Sequence, residues 1–168
     1  NVNHLADTLE ELDCSSGDEG YFKCGIDQNG ISELRKLNTL KCINNEEIRD
    51  VNHLANVLRY LHCGCMSGVN QNGISKLKKL EVLCCGGNIK IKNVNHLASI
   101  LKELYCDGCC GIDQNGISKL EKLEVLDCSR NIIITDVNHL TDTLKILYCR
   151  DCSGINQAEM SRIRILEM

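Results

Sequence analysis

The sequence predicts an α/β repeat solenoid, and three observations lead to this fold class. The tetrapeptide VNHL begins at Val2, Val51, Val94 and Val137. The pattern (I/V)(D/N)QNGIS begins at Ile26, Val69 and Ile112, so both motifs recur every 43 residues over most of the chain. Each 43-residue period splits into two shorter units of 21 or 22 residues, marked by leucine and cysteine at fixed places. Periods of this length are typical of stacked supersecondary units that bury a shared core.

Seven units share L-x-x-L-x-C, and most of them fit the full frame L-x-x-L-x-C-x-x-(N/C)-x-x-(I/V), as in LEVLCCGGNIKI from Leu80 and LEVLDCSRNIII from Leu123. The first unit is stretched to 28 residues by an insertion near residues 15–23, and a decayed copy of the second motif, INQAEMS, begins at Ile155. One cysteine, which we term the core cysteine, recurs in every unit: Cys14, Cys42, Cys63, Cys85, Cys106, Cys128 and Cys149.

This frame resembles that of the leucine-rich repeat family, L-x-x-L-x-L-x-x-(N/C)-x-L at 20–29 residues per unit, with cysteine in place of the third leucine. The resemblance covers residues 1–168 as a single domain. It implies a horseshoe or arc with a parallel concave β-sheet, short helical or irregular convex segments, and frame asparagines that bond the adjoining turn (Asn45, Asn88 and Asn131). The richness in Asn, Ile, Lys and Cys also resembles leucine-rich repeat arrays of giant viruses and protists, although AT-rich coding alone gives the same bias.

Within each unit, apolar and variable residues alternate up to the core cysteine, which predicts one short strand. The segments VNHLADTL and NGISKLEKL predict a single helical turn or irregular coil opposite the strand. Three Asn-Gly dipeptides are expected in turns, since both residues tolerate positive φ: Asn29-Gly30, Asn72-Gly73 and Asn115-Gly116. Residues 155–168 replace Asn-Gly with Ala-Glu, which favours a longer helix and predicts a C-terminal cap. The first strand is expected to leave an unpaired edge.

Composition narrows the function classes. A net charge of −4 with mixed signs argues against a nucleic-acid or polybasic membrane surface. No signal peptide or long apolar run is present. The cysteine count of thirteen is odd, and the sequence has no N-glycosylation sequon. Both observations favour reduced thiols in an intracellular protein, located in the cytoplasm of its own cell or in that of an infected host cell.

The stretch YCDGCCG, residues 105–111, suggests a metal or redox site, but the frame accounts for most of it. Cys106 is a core cysteine and Cys109 takes the Asn/Cys position, so Cys110 alone has no frame role and is expected at the surface. The second such pair, Cys149 and Cys152, lies two units away, about 10 Å by strand spacing, which is too far to share a zinc ion. Core packing is therefore favoured, and no metal or cofactor is expected. A disulfide between Cys65 and Cys84 across neighbouring units remains an alternative.

The histidines of VNHL recur with the repeat: His4, His53, His96 and His139. Copies two units apart cannot share a metal, for the same reason of distance. Repeated hydrogen bonding to backbone on the outer face is the favoured interpretation.

Residues that vary within the fixed frame are the candidates for function. The third position before the core cysteine holds Glu11, Thr39, Tyr60, Val82, Glu103, Val125 and Ile146. The position directly before the core cysteine holds Asp13, Lys41, His62, Cys84, Tyr105, Asp127 and Tyr148. The family resemblance implies that this face binds a protein partner, and tyrosine suits an interface, although strands also select such residues for packing alone. Tyr21 and Phe22 in the insertion are expected to add to the site.

No nucleophile elbow, HExxH or phosphate-loop pattern occurs, so an enzyme is not expected. The predicted function is a protein-binding scaffold. Two alternatives stay open: a self-assembling protein that stacks through the N-terminal edge, and a metal or redox protein built on Cys65, Cys84 and Cys110.

Overall fold

Eight parallel strands in chain order form one sheet in the computed structural model, which describes residues 1–17, 23–152, 155 and 164–166. The strands are β1 (Glu11–Asp13), β2 (Thr39–Lys41), β3 (Tyr60–His62), β4 (Val82–Cys84), β5 (Glu103–Tyr105), β6 (Val125–Asp127), β7 (Ile146–Tyr148) and β8 (Arg164–Leu166). Neighbouring strands pair residue for residue, without slippage, along the whole sheet. The predicted α/β repeat solenoid is confirmed.

The segments opposite the strands alternate between two types. One-turn α-helices precede β2, β4 and β6, namely α1 (Gln28–Ile31), α2 (Gln71–Ile74) and α3 (Gln114–Ile117). Short 3-10 helices precede the odd strands, at Asn3–Leu5, Asn52–Leu54, Asn95–Leu97 and Asn138–Leu140. The α-helices begin where a side chain can cap them: the Asp113 carboxylate accepts from the Gly116 N–H at 2.8 Å. None of the helices in the described ranges reaches the length and apolar character that a membrane crossing needs.

The prediction that the Asn-Gly dipeptides form turns with positive φ is wrong, because these dipeptides lie inside the three α-helices. A Cβ atom added to Gly73 would lie 2.0 Å from the carbonyl oxygen of Arg49 in the preceding turn, and one on Gly116 would lie 2.2 Å from that of Lys92. Glycine is therefore needed for the close approach of two backbones. Left-handed backbone occurs elsewhere, two residues after six of the core cysteines: Asn44, Cys65, Gly87, Gly108, Arg130 and Asp151.

The core lies between the sheet and the outer helices. The central residue of each strand from β2 to β7 is a fully buried leucine, and all seven core cysteines are at most 3% exposed. Cysteine here acts as a small buried apolar residue. The core cysteines therefore pack into the interior directly after each strand from β1 to β7, as predicted.

The frame asparagines join each even turn to the turn before it. The Asn88 side-chain amide donates to the carbonyl oxygens of Cys63 at 2.8 Å and Val69 at 3.0 Å, while its Oδ1 accepts from the Lys90 N–H. Asn45 and Asn131 repeat this arrangement. Their predicted structural role is confirmed.

The VNHL and QNG motifs supply further links on the outer side. The Asn52 side chain donates to the Asn72 carbonyl at 2.7 Å, and the Gln71 side chain donates to the Asn93 carbonyl at 2.9 Å. The Nε2 atoms of His53, His96 and His139 lie 3.0–3.1 Å from carbonyl oxygens of the preceding turn and must donate to them. The predicted bonding to backbone is confirmed for these three histidines, and for His4 in the first turn it stays a prediction. The repeated motifs of these turns therefore join one turn to the next.

Both ends of the chain differ from the middle. In the described part of the chain, β1 pairs only with β2 and so forms the sheet edge, as expected. The predicted helical cap at 155–168 lies mostly outside the described residues. Within it, Arg164–Leu166 form the strand β8 rather than a helix, because this segment pairs in parallel with β7.

Candidate interaction surface

The two variable columns lie side by side on one face of the sheet, which we term the sheet face. Parallel pairing in register places Glu11, Thr39, Tyr60, Val82, Glu103, Val125 and Ile146 in one row. The same pairing places Asp13, Lys41, His62, Cys84, Tyr105, Asp127 and Tyr148 in the other. Both rows flank the inward central leucines, and successive strand residues point to opposite faces. Every strand residue named as a site candidate is therefore brought onto one surface.

Exposure differs along this surface. Glu11 and Asp13 on the edge strand β1 are exposed, whereas the column residues from β2 to β7 are all half-buried by their neighbours. Half-buried side chains on a rigid sheet are held in place yet keep one side open to a partner. The sheet face from β2 to β7 is therefore a surface on which every column residue is partly packed and partly open to solvent.

Tyrosines at the centre of the sheet face are linked to their neighbours. The Tyr105 hydroxyl donates to a Glu103 carboxylate oxygen at 2.9 Å, and the Cys84 thiol lies 3.6 Å from the Tyr60 hydroxyl. Burial raises the pKa of Tyr60 to about 12, and burial followed by the Glu103 hydrogen bond raises the pKa of Tyr105. Both phenols therefore keep their protons at neutral pH and can donate or accept hydrogen bonds.

The surface carries an excess of negative charge. From β1 to β7 the two columns hold four carboxylates, from Glu11, Asp13, Glu103 and Asp127, against the single ammonium group of Lys41. Burial, then the nearby Lys41 charge, lowers the pKa of His62, so this ring adds little positive charge at neutral pH. Hydrogen bonds from Ser15 lower the pKa of Asp13 and keep that carboxylate ionised.

An open pocket of about 420 Å³ lies where β3, β4 and β5 end. His62, Cys84 and Tyr105 contribute from the columns, and Asp107 closes one side from beyond the strand. A Cβ atom on Gly86 would lie 2.1 Å from a carboxylate oxygen of Asp107, so glycine gives this side chain its space. Sequence reasoning missed Asp107 because it follows the core cysteine. Glycine directly after the core cysteine in two successive units, at Gly64 and Gly86, was the available sign that a side chain of the next unit could occupy this space.

A larger pocket of about 550 Å³ lies beside the first turns, against Lys23, Cys24 and the Asn44–Glu47 segment. It borders the insertion. The expected contributors Tyr21 and Phe22 lie outside the described residues, so their predicted role stays a prediction.

The cysteines of YCDGCCG require one correction. Cys110, expected at the surface, is only 4% exposed and its Sγ lies 3.7 Å from that of Cys85, while Cys109 is exposed. The cause is the position of the tight turn that follows each strand. After β4 the turn begins one residue past the core cysteine, at residues 86–87, whereas after β5 it begins two residues past the core cysteine, at residues 108–109. The later turn points residue 109 outward and residue 110 into the core.

Cys65, Cys84 and Cys110, the three cysteines considered for a metal or redox site, are not gathered in one place. Cys65 is exposed and Cys84 half-buried, and they line the same pocket as separate thiols, while Cys110 belongs to the core. Across residues 1–17 and 23–152, no group of three or more His, Cys, Asp or Glu side chains is arranged to hold a metal ion.

No protein family matches the sequence, and no curated protein matches it significantly.

Proposed function

We propose that this chain is a leucine-rich repeat scaffold of the intracellular, non-enzymatic kind, which binds a protein partner through the sheet face, the concave side of such a solenoid. The observation that carries the proposal is the register of the sheet. The repeated residues bond one turn to the next, whereas the residues that vary are gathered in two unbroken rows on one surface.

The chemistry of this surface favours a partner segment rich in lysine or arginine. Carboxylates of Glu103, Asp107 and Asp127 lie among Tyr60, Tyr105 and Tyr148, and tyrosine rings attract cations over their faces. Charge complementarity steers association and fixes orientation, while buried aromatic side chains supply most of the binding energy.

A peptide array of varied charge tests this proposal directly. The wild-type chain should bind basic peptides preferentially, and the double variant Glu103→Gln/Asp127→Asn should bind them at least about tenfold more weakly. The matched control is Glu33→Gln/Glu121→Gln, which removes the same charge from exposed positions away from the strands. Equal weakening by both variants would show only a general charge effect and would contradict a site on the sheet face.

The tyrosines give a second test that does not depend on charge. Replacing Tyr60, Tyr105 and Tyr148 together with alanine should abolish binding of any peptide selected on the array. Unchanged binding by a folded triple variant would remove the sheet face from the proposal.

A second candidate function, end-to-end self-association, rests on a different observation. In the first turn, Val2, Leu5, Leu9 and Leu12 are half-buried, and β1 presents an unpaired strand edge in the described part of the chain. Head-to-tail contacts of this kind build filaments when they do not close. Sedimentation over a wide concentration range should show growing particles that Leu12→Lys suppresses; a strict monomer would exclude this function.

A further inference from the structure

The core holds three similar contacts that cross from an even turn to the next odd turn, made by core cysteines that are 43 residues apart. In each, the core cysteine of the even turn lies 3.7 Å from a side chain of the odd turn. The partners are Cys42 with Ser67, Cys85 with Cys110, and Cys128 with Cys152. Two of the three contacts are therefore pairs of thiols.

The sulfur atoms in these pairs are close to bonding distance. A disulfide has an S–S length of about 2.05 Å, so each pair needs to close by about 1.7 Å, a shift that side-chain rotation can supply. Both members belong to adjacent turns of one rigid stack, which keeps them together without any other change of fold. A bond here would tie one turn covalently to the next.

Access distinguishes the two pairs. Cys85 is fully buried and Cys110 is only 4% exposed, so neither sulfur can meet an oxidant in solution. Cys152 is half-buried, while its partner Cys128 lies in the core. The hydrogen bond with Cys152, and then burial, raise the pKa of the Cys128 thiol, so Cys128 does not ionise first. The reachable sulfur of this pair is Cys152.

We infer that Cys128 and Cys152 form a modification site, a dithiol that a small disulfide such as oxidised glutathione converts into a disulfide bond between the sixth and seventh turns. This inference stands independently of the proposed binding function. We prefer this pair to the Cys65–Cys84 disulfide raised from the sequence, because the Sγ atoms of Cys128 and Cys152 lie 3.7 Å apart.

The chemistry balances in two steps. Cys152 loses its proton, and its thiolate attacks one sulfur of the small disulfide, forming a mixed disulfide and releasing one thiolate. Cys128 then loses its proton and attacks the Cys152 sulfur, forming the Cys128–Cys152 bond and releasing the second thiolate. Two protein thiols are oxidised and one external disulfide is reduced to two thiols.

Tryptic mapping of the full chain after titration with oxidised glutathione tests the inference. Cys128 lies in LEVLDCSR, Cys152 in DCSGINQAEMSR and the neighbouring Cys149 in ILYCR, so each thiol has its own peptide. The expected product is a linked pair of the first two peptides, two hydrogens lighter than their sum, which forms at lower oxidant concentration than any link between Cys85 and Cys110. The thermal midpoint should rise by several degrees, because the cross-link restricts the unfolded chain.

Three variants make the result specific. Cys152→Ser should abolish the linked peptide, and Cys109→Ser, which removes an exposed thiol outside the pairs, should leave it unchanged. Ser67→Cys should create a third dithiol with Cys42 in the same geometry, and a linked pair at that place once the chain is oxidised while partly unfolded. Glutathione adducts without a Cys128–Cys152 link, or a link between Cys149 and Cys152, would overturn the inference.

Discussion

The first and third turns contain the same motif in opposite environments. Val2, Leu5, Leu9 and Leu12 of the first turn are half-buried, whereas Val51, Leu54, Leu58 and Leu61 of the third turn are fully buried. The difference is the neighbour: the third turn has one on each side, and in the described part of the chain the first has one only. A turn of this solenoid therefore does not bury its own leucines; its neighbours do.

The largest test of this comparison replaces one leucine in each turn. Leu54→Ala should leave a cavity and lower the free energy of unfolding by about 2–5 kcal/mol. Leu5→Ala should cost about 1 kcal/mol or less, because solvent already reaches that site. Urea denaturation measures both changes. Equal losses would mean that the first turn is covered in solution, as self-association requires.

The asparagine links give the next largest effect. Asn88→Ala leaves the Cys63 and Val69 carbonyl groups without their buried amide donor and should cost about 2–3 kcal/mol. Asn45→Ala affects Cys14 and Ile26 of the first turn, where the second contact is only partly buried, and should cost about 1 kcal/mol. Amide hydrogen exchange would show whether each loss stays local; identical costs would contradict the comparison.

Substitution by glycine at a left-handed position should stabilise an inner turn, whereas the same substitution in the first turn should not. Arg130 has a φ of 59°, a conformation that glycine adopts without strain. Its ion pair with Asp151 contributes little, because the two side chains are 66% and 67% exposed. Arg130→Gly should therefore raise the free energy of unfolding by about 1 kcal/mol. Ser16 occupies the equivalent place in the first turn without positive φ, so Ser16→Gly should give no gain. Thermal unfolding of the two variants decides this point.

The smallest effect concerns pH. Burial lowers the pKa of His53 and His96 below the ordinary value of 6.5, since each ring packs on a preceding turn and donates from its neutral form. The unfolded chain then binds these protons more tightly, so this contribution to stability is complete above pH 6.5 and falls as pH drops through it. The double variant His53→Gln/His96→Gln should show a flatter dependence of unfolding free energy on pH between about 7.5 and about 5.5. An unchanged slope would contradict the assignment.

Periodicity made most of the fold predictable. A fixed spacing places equivalent residues in equivalent positions, so the register of β1 to β7, the inward leucines and core cysteines, the asparagine links and the histidine contacts all followed from the repeat. The membership of the sheet face followed as well, because strand residues alternate between two faces.

The misses arose where odd and even turns differ. A frame averaged over seven units hides the one-residue delay of the tight turn after β5, which moves Cys110 inward and Cys109 outward. Asn-Gly was interpreted from its intrinsic conformational freedom, whereas Gly73 is required by the Arg49 carbonyl of another turn, a contact that local pattern does not contain. Asp107 was missed for a related reason, since its position depends on space left by Gly86.

The alternation of the outer segments constrains how such a chain can change length. The Asn52 side chain donates a hydrogen bond to α2 of the next turn, and Gln71 of α2 donates to Asn93, directly before the following VNHL segment. His96 of that segment bonds back to the end of α2. Each type of turn therefore requires the other type on both sides. Loss of a single turn would place two turns of the same type next to each other and break all of these hydrogen bonds at the junction. Loss or duplication of a 43-residue pair would restore every one of them. We therefore expect relatives of this gene to differ by whole two-turn cassettes, with even differences in turn number and an unaltered junction at each copy.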